Sequence, residues 1–401
     1  MLRDPQLRRL WAVGMLMSLI RGVEMLAFAV YTYERTQSAL WVASLMMLRL
    51  LPLSLFGLVL GALATRRSRR GVLFVTHALL LATSLMLLIL SVLGVVEVWH
   101  LALASFINGI VWASDMPMRR SLMGDIAGHA RLLRAMSLDA VASNACRLIG
   151  PGLGGLLLVR GGLTAVLVFT TVFYLPVLAA LAGLSHQAVT PDTARPALRE
   201  LLVRGFQAAR ESPALRAALW ITILFNLFAW PVLSMIPVIG QVRLQLDAQG
   251  VGLLASVDGV GALLGALVLT SFAGRLRQGQ LYVGGLLLFL VLQIAFGWSW
   301  NTWLSAALLL AIGVAQSGVA VMQATLVYAA APADRRPEAL GLLTMCIGVA
   351  PLGFLAMGWI AERLGAPMAA TVTGLCGLAA AGVTWRLCRA CFEATSRSAR
   401  G

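Results

Sequence analysis

The chain contains no lysine, only 5 cysteines and 4 histidines, and charged side chains at only 12% of its 401 positions. Each scarcity excludes a class of function. Without lysine there is no phosphate-binding loop of the GK[ST] kind, although glycine-rich stretches occur. Cys146, Cys346 and Cys376 fall inside apolar stretches and Cys388 and Cys391 near the C-terminus, so neither a disulfide framework nor a metal-ligand spacing is present. His77 and His100 lie on or near apolar spans and His129 and His186 in loops, none with an acidic or cysteine partner at ligand spacing. No nucleophile–base pair is visible, so the chain reads as no enzyme, and no metal or cofactor is implied. A charge content this low, against 60% hydrophobic residues, cannot clothe a water-soluble globule of this length.

Apolar stretches of membrane-crossing length run almost end to end. Twelve fit, at 10–33, 40–63, 71–94, 98–117, 138–159, 162–184, 216–239, 249–273, 280–298, 301–327, 339–361 and 366–387, which predicts an all-α membrane protein. The first runs past Arg21 to Tyr33 without a convincing cleavage site and reads as a retained helix. The net charge of +15 encodes orientation, not nucleic-acid binding. Of 31 arginines, 24 lie at the termini and in alternate loops, from Arg3, Arg8 and Arg9 through Arg66, Arg67, Arg69 and Arg70 to Arg397 and Arg400. The intervening loops hold Arg35, Arg160, Arg243 and Arg363. The positive-inside bias therefore puts both termini in the cytoplasm of a bacterial inner membrane. Tyr31, Tyr33, Trp41, Trp99, Trp298, Trp300 and Trp303 mark the outer interface, and Trp11 and Trp385 the inner one.

The longest polar stretch, 185–213, carries Pro191 and Pro196 and an amphipathic segment around Leu198 to Ala209. It divides the chain into a six-helix lobe at 1–185, a cytoplasmic linker at 186–214 and a second six-helix lobe at 215–401. An internal repeat supports the division: Cys146 and Cys346, and Pro151 and Pro351, are each 200 positions apart.

Charges inside the spans are the sharpest functional signal: Arg21 and Glu24, Arg49, Arg147 and Asp258. Each unpaired charge at a helix centre costs about 2.5–3.5 kcal/mol on insertion scales, so five together would cost roughly 12–18 kcal/mol. They must pair or line a wet cavity. Arg21 and Glu24, three apart on one helical face, can partly neutralise each other. Together the five carry one excess positive charge, which suits an anionic or partly anionic substrate. Glu24 and Asp258 are the acids to nominate for proton coupling. Asn108, Asn144, Asn226, Gln293, Gln316 and Gln323 form a polar ladder, each serving either substrate or interhelical hydrogen bonds. Asp115, close to Arg119 and Arg120, suits an inner gate or loop-orienting ion pair. Pro151 removes the amide that would bond the Arg147 carbonyl, and Gly150 and Gly154 allow close helix approach. Gly150, Pro151, Gly154 and Pro351 are thus gating or packing positions.

Several of these residues stand in motifs that resemble the major facilitator superfamily, within it the drug-efflux and enterobactin-exporter-like group. Leu7-Arg-Arg-Leu-Trp11, Tyr33-Glu-Arg-Thr36-Gln-Ser38-Ala-Leu40 and Leu51-Pro52 with Gly57 are similar to that group's first two helices. Gly61-Ala-Leu-Ala-Thr65-Arg66-Arg67-Ser-Arg69-Arg70 resembles the loop between helices 2 and 3. Asp115-Met-Pro117-Met-Arg119-Arg120, with Asn144, Arg147 and Gly150-Pro151-Gly-Leu-Gly154-Gly155, is similar to its helix 4 to helix 5 segment. The likeness implies two pseudo-symmetric lobes and alternating access around a mid-membrane site. It implies a monomeric secondary transporter exporting a small organic molecule, siderophore- or drug-like, in exchange for protons, with lipid and no nucleic acid as its other partners. An uncoupled facilitator or importer of the same fold, and a non-transporting membrane sensor or assembly partner, remain the alternatives.

Overall fold

The computed structural model describes residues 4–63, 69–127, 129–184, 198–271, 278–332 and 335–385. Among them every regular element is helical, and helices fall on all twelve expected spans. They are α1 (Pro5–Thr36), α2 (Ala39–Leu63), α3 (Arg69–Val92), α4 (Val98–Ala127), α5 (His129–Ala182), α6 (Leu198–Glu211), α7 (Pro213–Leu224), α8 (Ile236–Val242), α9 (Ala248–Ser271), α10 (Gln278–Trp298), α11 (Thr302–Ala330), α12 (Arg336–Ile347), α13 (Ala350–Leu364) and α14 (Ala366–Val383). The chain is a multi-pass membrane protein. Most of the linker's first half, the basic loop from Thr65 to Ser68, and Cys388 and Cys391 lie outside the described residues.

Local chemistry sets the ends. Asp4 caps α1 by accepting from the amides of Gln6 (3.0 Å) and Leu7 (3.4 Å), and Pro5 fits the first turn, where its missing N–H is not needed. Gln37 takes a left-handed conformation, φ 52°, and turns the chain into α2. α5 spans two predicted segments, and its break lies at Gly161–Gly162, where Gly162 has φ 62°. It does not break at Pro151, where helical geometry continues. The segment 213–242 is irregular: α7 passes through a π-helical turn at Phe225–Ala229 and a 3-10 stretch at Trp230–Met235 before α8. Similarly, α12 and α13 are separated at Gly348 and Val349, with Pro351 in the first turn of α13.

Two compact units can be recognised: Met1–Gln37, Leu48–Ala194 and Gln245–Ser256 form one, and Ser38–Met47, Arg195–Leu244 and Val257–Gly401 the other. In the first, α1 and α5 pack backbone to backbone. A Cβ on Gly150 would stand 2.8 Å from Gly22 Cα, and one on Gly154 2.8 Å from the Val23 carbonyl oxygen. Gly155 and Gly252 likewise let the start of α9 lie on α5, where the Gly152 amide donates to Ser256 Oγ at 3.0 Å. The glycines of the Gly150–Gly155 stretch thus serve helix contact on two sides, as small residues do in membranes, where apolar surface gives no drive to associate. In the second unit, Gly358 of α13 admits the start of α2, and Glu362 Oε2 accepts from Ser38 Oγ (3.0 Å) and the Leu40 amide (3.2 Å). There too α6 docks on α12, with Gly205 against the Glu338 carbonyl and Arg335 paired with Glu211 at 3.0 Å.

Candidate functional site

The first unit gathers the charges that hydropathy singled out. α1 supplies Arg21 and Glu24, α2 Arg49, α4 Asn108 and Trp112, and the second arm of α5 Tyr174. Close approach of α4 to α2 rests on Gly109, whose Cβ would stand 2.2 Å from the Arg49 carbonyl oxygen. Glu24 is 3% exposed; its Oε1 accepts from the Tyr174 hydroxyl at 3.2 Å, and its Oε2 has no hydrogen-bond partner among the described residues. Arg49, 5% exposed, reaches Asn108 Oδ1 with Nη2 at a long 3.5 Å, while its Nε has no partner. Arg49 and Arg21 both act electrostatically on Glu24. Arg21 does not form the expected ion pair with Glu24. Its guanidinium instead lies over the Trp112 ring, 4.8 Å from the centroid, where a cation gains from the ring's negative face.

A second buried network adjoins through Arg21, which also acts electrostatically on Asp115 and Arg119. Within α4, Arg119 Nε stands 3.7 Å from Asp115 Oδ2, and Arg119 Nη1 donates to Asp139 of α5. Gly14 of α1 makes the space, since a Cβ there would collide with that Arg119–Asp139 pair. On the other side of Asp115, His77 Nε2 of α3 stands 3.4 Å from Oδ1. Sequence reasoning placed neither His77 nor Asp139 in a site. Tyr174 and Trp112 were missed too, because an aromatic residue on an apolar helix carries no mark of its polar edge or face.

The remaining candidates are spread more widely. On α5, Arg147 is partly buried one turn before Pro151, and Asn144 donates to the Ala140 carbonyl at 2.9 Å, a bond within its own helix. In the second unit Asp258 of α9 is buried, with Gly313 of α11 packed on its carbonyl. The two irregular helices there meet. Gly353 of α13 lies on the carbonyls of Asn226 and Leu227 and on Pro231, and Trp230 meets Phe354 edge to face at 5.7 Å. π-helical turns and interrupted helices recur at functional positions, and in transporters they line the substrate path. Gln293, from the polar ladder, donates toward the carbonyls of Phe228 (3.1 Å) and Ala370 (3.3 Å) and toward Thr373 (3.3 Å), tying α10 to α14 and to the π turn. Asn226 donates to the Thr222 carbonyl at 2.8 Å. No cluster of three or more metal-ligating side chains occurs among the described residues.

Comparison with known proteins agrees with this architecture. The profile of a family described as transmembrane secretion effectors matches residues 1–400. The chain is 33% identical over 116 residues to the probable sphingolipid transporter spinster homolog 1 of Arabidopsis thaliana, and 26% identical over 126 residues to an uncharacterised MFS-type transporter, YfiS, of Bacillus subtilis. These alignments span only 23% and 29% of those relatives' lengths. Over 87% of both chains it is 21% identical to the staphyloferrin A transporter of Staphylococcus aureus. In fold it is similar to a bacterial homologue of the human lysosomal transporter Spinster (TM-score 0.76, 14% identity, 98% of this chain and 99% of that one). The nucleoside transporter NupG is similar as well (TM-score 0.77, 13% identity, 95% and 98%). The chain belongs to the transmembrane secretion effector family of the major facilitator superfamily, whose members are membrane transporters and not enzymes.

Proposed function

We propose that this transporter works by alternating access and exports a small organic anion, siderophore- or drug-like, in exchange for protons. It would act as a monomer in a bacterial inner membrane with both termini in the cytoplasm, its lobes at 1–185 and 215–401 joined by the 186–214 linker. The observation that carries this reading is the buried pair Glu24 and Arg49, with the half-buried Arg21 beside it, and its unsatisfied atoms, Glu24 Oε2 and Arg49 Nε. Buried charges are ordinarily paired and hydrogen-bonded, and each half-satisfied one is costly. A group that is retained with two open polar atoms beside an aromatic face is suited to a ligand that completes it. Two guanidinium groups against one carboxylate attract an anion with apolar or aromatic parts, the latter suited to Trp112 and Tyr174. Glu24 is the acid that would carry the exchanged proton here, and Asp258 the one in the second unit. The alignment with a staphyloferrin A transporter, 21% identical over 87% of both chains, supports a siderophore-like cargo.

The test is thermal stabilisation of the detergent-purified protein by a panel of anionic chelators and lipophilic cations, at two pH values. A ligand at 100 times its Kd stabilises by about 2.7 kcal/mol, well within reach of such an assay. Stabilisation by anions that is abolished in Arg49→Gln is the expected result. Stabilisation by lipophilic cations alone would overturn the anionic cargo and make Glu24 and Asp258 the binding groups of a multidrug site.

A further inference from the structure

We propose that His77 and Asp115 together hold one proton, making the α3–α4 contact a proton-binding site separate from Glu24. The inference deepens the proton-exchange reading and rests on it only for the site's role in transport, not for the proton itself.

The geometry leaves little freedom. His77 Nδ1 lies 2.6 Å from the carbonyl oxygen of Leu73, one turn earlier in α3. A carbonyl can only accept, so Nδ1 carries a hydrogen whatever the state of the ring. The remaining nitrogen, Nε2, stands 3.4 Å from Asp115 Oδ1, and neither atom has a hydrogen-bond partner among the described residues. Both residues are closed to solvent, at 0% and 3% exposure. With a neutral imidazole and an ionised carboxyl, two buried lone-pair acceptors would face each other with nothing between them, an arrangement that costs desolvation and returns no bond. One proton satisfies both atoms at once, either as an imidazolium donating to the carboxylate or as a carboxylic acid donating to Nε2.

The surroundings are charged on both sides of Asp115. From α4, Arg119 approaches Asp115 Oδ2, and it donates to Asp139 of α5, so one guanidinium is shared between two carboxylates. α1 contributes the bare backbone of Gly14 and, more distantly, the positive charge of Arg21. The second arm of α5 contributes the apolar Val177 and Leu181 to the core that holds Leu73 and Leu80 of α3. Thr76 adds a hydroxyl 3.5 Å from Nδ1. Because Arg21 acts both on Asp115 and Arg119 and on the Arg49–Glu24 group, gain or loss of the shared proton changes the field at the proposed substrate site. Binding of an anion there and occupancy of the His77–Asp115 proton are thereby coupled.

The experiment reads the proton directly in full-length protein labelled with nitrogen-15 in its 4 histidines and carbon-13 in its aspartate carboxyls. The His77 resonances are identified by their loss in His77→Gln or, should that variant fail to accumulate, by elimination with His100→Gln, His129→Gln and His186→Gln. Expected at neutral pH is either an imidazolium or a neutral Nδ1–H ring accompanied by a carboxylic-acid carbonyl band in the infrared that vanishes in Asp115→Asn. In Asp115→Asn the ring becomes the neutral Nδ1–H tautomer, its Nε2 accepting from the new amide. A neutral His77 in wild type with no such carboxylic band, or a ring protonated on Nε2 alone, overturns the proposal. Failure of the anion panel to stabilise the protein, with the proton signature present, would sink the transport reading and leave this site standing.

Discussion

Gly109→Ala adds a single methyl group to the chain at the point where α4 crosses α2 beside the charged group. The new Cβ would stand 2.2 Å from the Arg49 carbonyl oxygen, 2.9 Å from the Arg49 carbonyl carbon and 2.9 Å from Pro52 Cγ. Two of these three obstacles are backbone, so no rotamer change relieves them. To reach even a tight 3.0 Å contact from 2.2 Å, α2 must retreat by about 0.8 Å at Arg49. Overpacking of this kind costs about 1–3 kcal/mol. Arg49 Nη2 already reaches Asn108 at only 3.5 Å, so the displacement also breaks that contact, and binding constellations tolerate only about 0.5 Å of misplacement. The assay is paired thermal unfolding in detergent, with and without the stabilising anion. Gly109→Ala should lower the melting temperature and reduce the anion's stabilisation together. Gly284→Ala is the control: a Cβ there meets nothing within 4 Å, and alanine favours an exposed helix interior by about 0.5–1 kcal/mol. A Gly109→Ala protein that melts with wild type or above the Gly284→Ala control, and binds anion normally, would refute the close-approach argument.

Two further outcomes follow from the same contacts. Tyr174→Phe removes the hydroxyl that donates to Oε1 of the buried Glu24. It should destabilise by about 1–3 kcal/mol in thermal unfolding without anion, and an unaltered melting curve would show that the carboxylate is solvated there. Gln293→Leu removes the donor that joins α10 to the Phe228 and Ala370 carbonyls and to Thr373. At about 0.5–1.5 kcal/mol per bond it should lower the melting temperature while leaving the anion-induced shift unchanged, and loss of that shift instead would make Gln293 a substrate contact.

These outcomes separate what a linear chain can disclose from what it cannot. The helical spans were legible because bilayer length, hydropathy and arginine asymmetry are local properties, and the structure puts helices on all of the expected spans. Arg21, Glu24 and Arg49 were legible for the same reason, since a charge inside an apolar run is anomalous wherever it points. What escaped is relational. Pro151 reads as a bend for gating or packing, yet α5 keeps helical geometry through it, and its break at Gly161–Gly162 falls between two of the expected spans. Close helix approach at Gly150 and Gly154 was legible, but that α1 and α9 are the helices packed there was not. The π turn at Phe225–Ala229 lies in an unbroken apolar run, and only Gly353, on a helix more than a hundred residues later, gives it a partner. Arg21 and Glu24 share a helical face, so spacing alone pairs them, but Trp112 on α4 offers the guanidinium a ring that no spacing rule foresees. His77 shows the limit most sharply: as a lone imidazole on an apolar helix it reads as a filled core position. Its chemistry depends on a carboxylate 38 positions away and on a backbone carbonyl that consumes its other nitrogen. A residue whose role is fixed by what faces it becomes readable only when the fold has brought that partner to it.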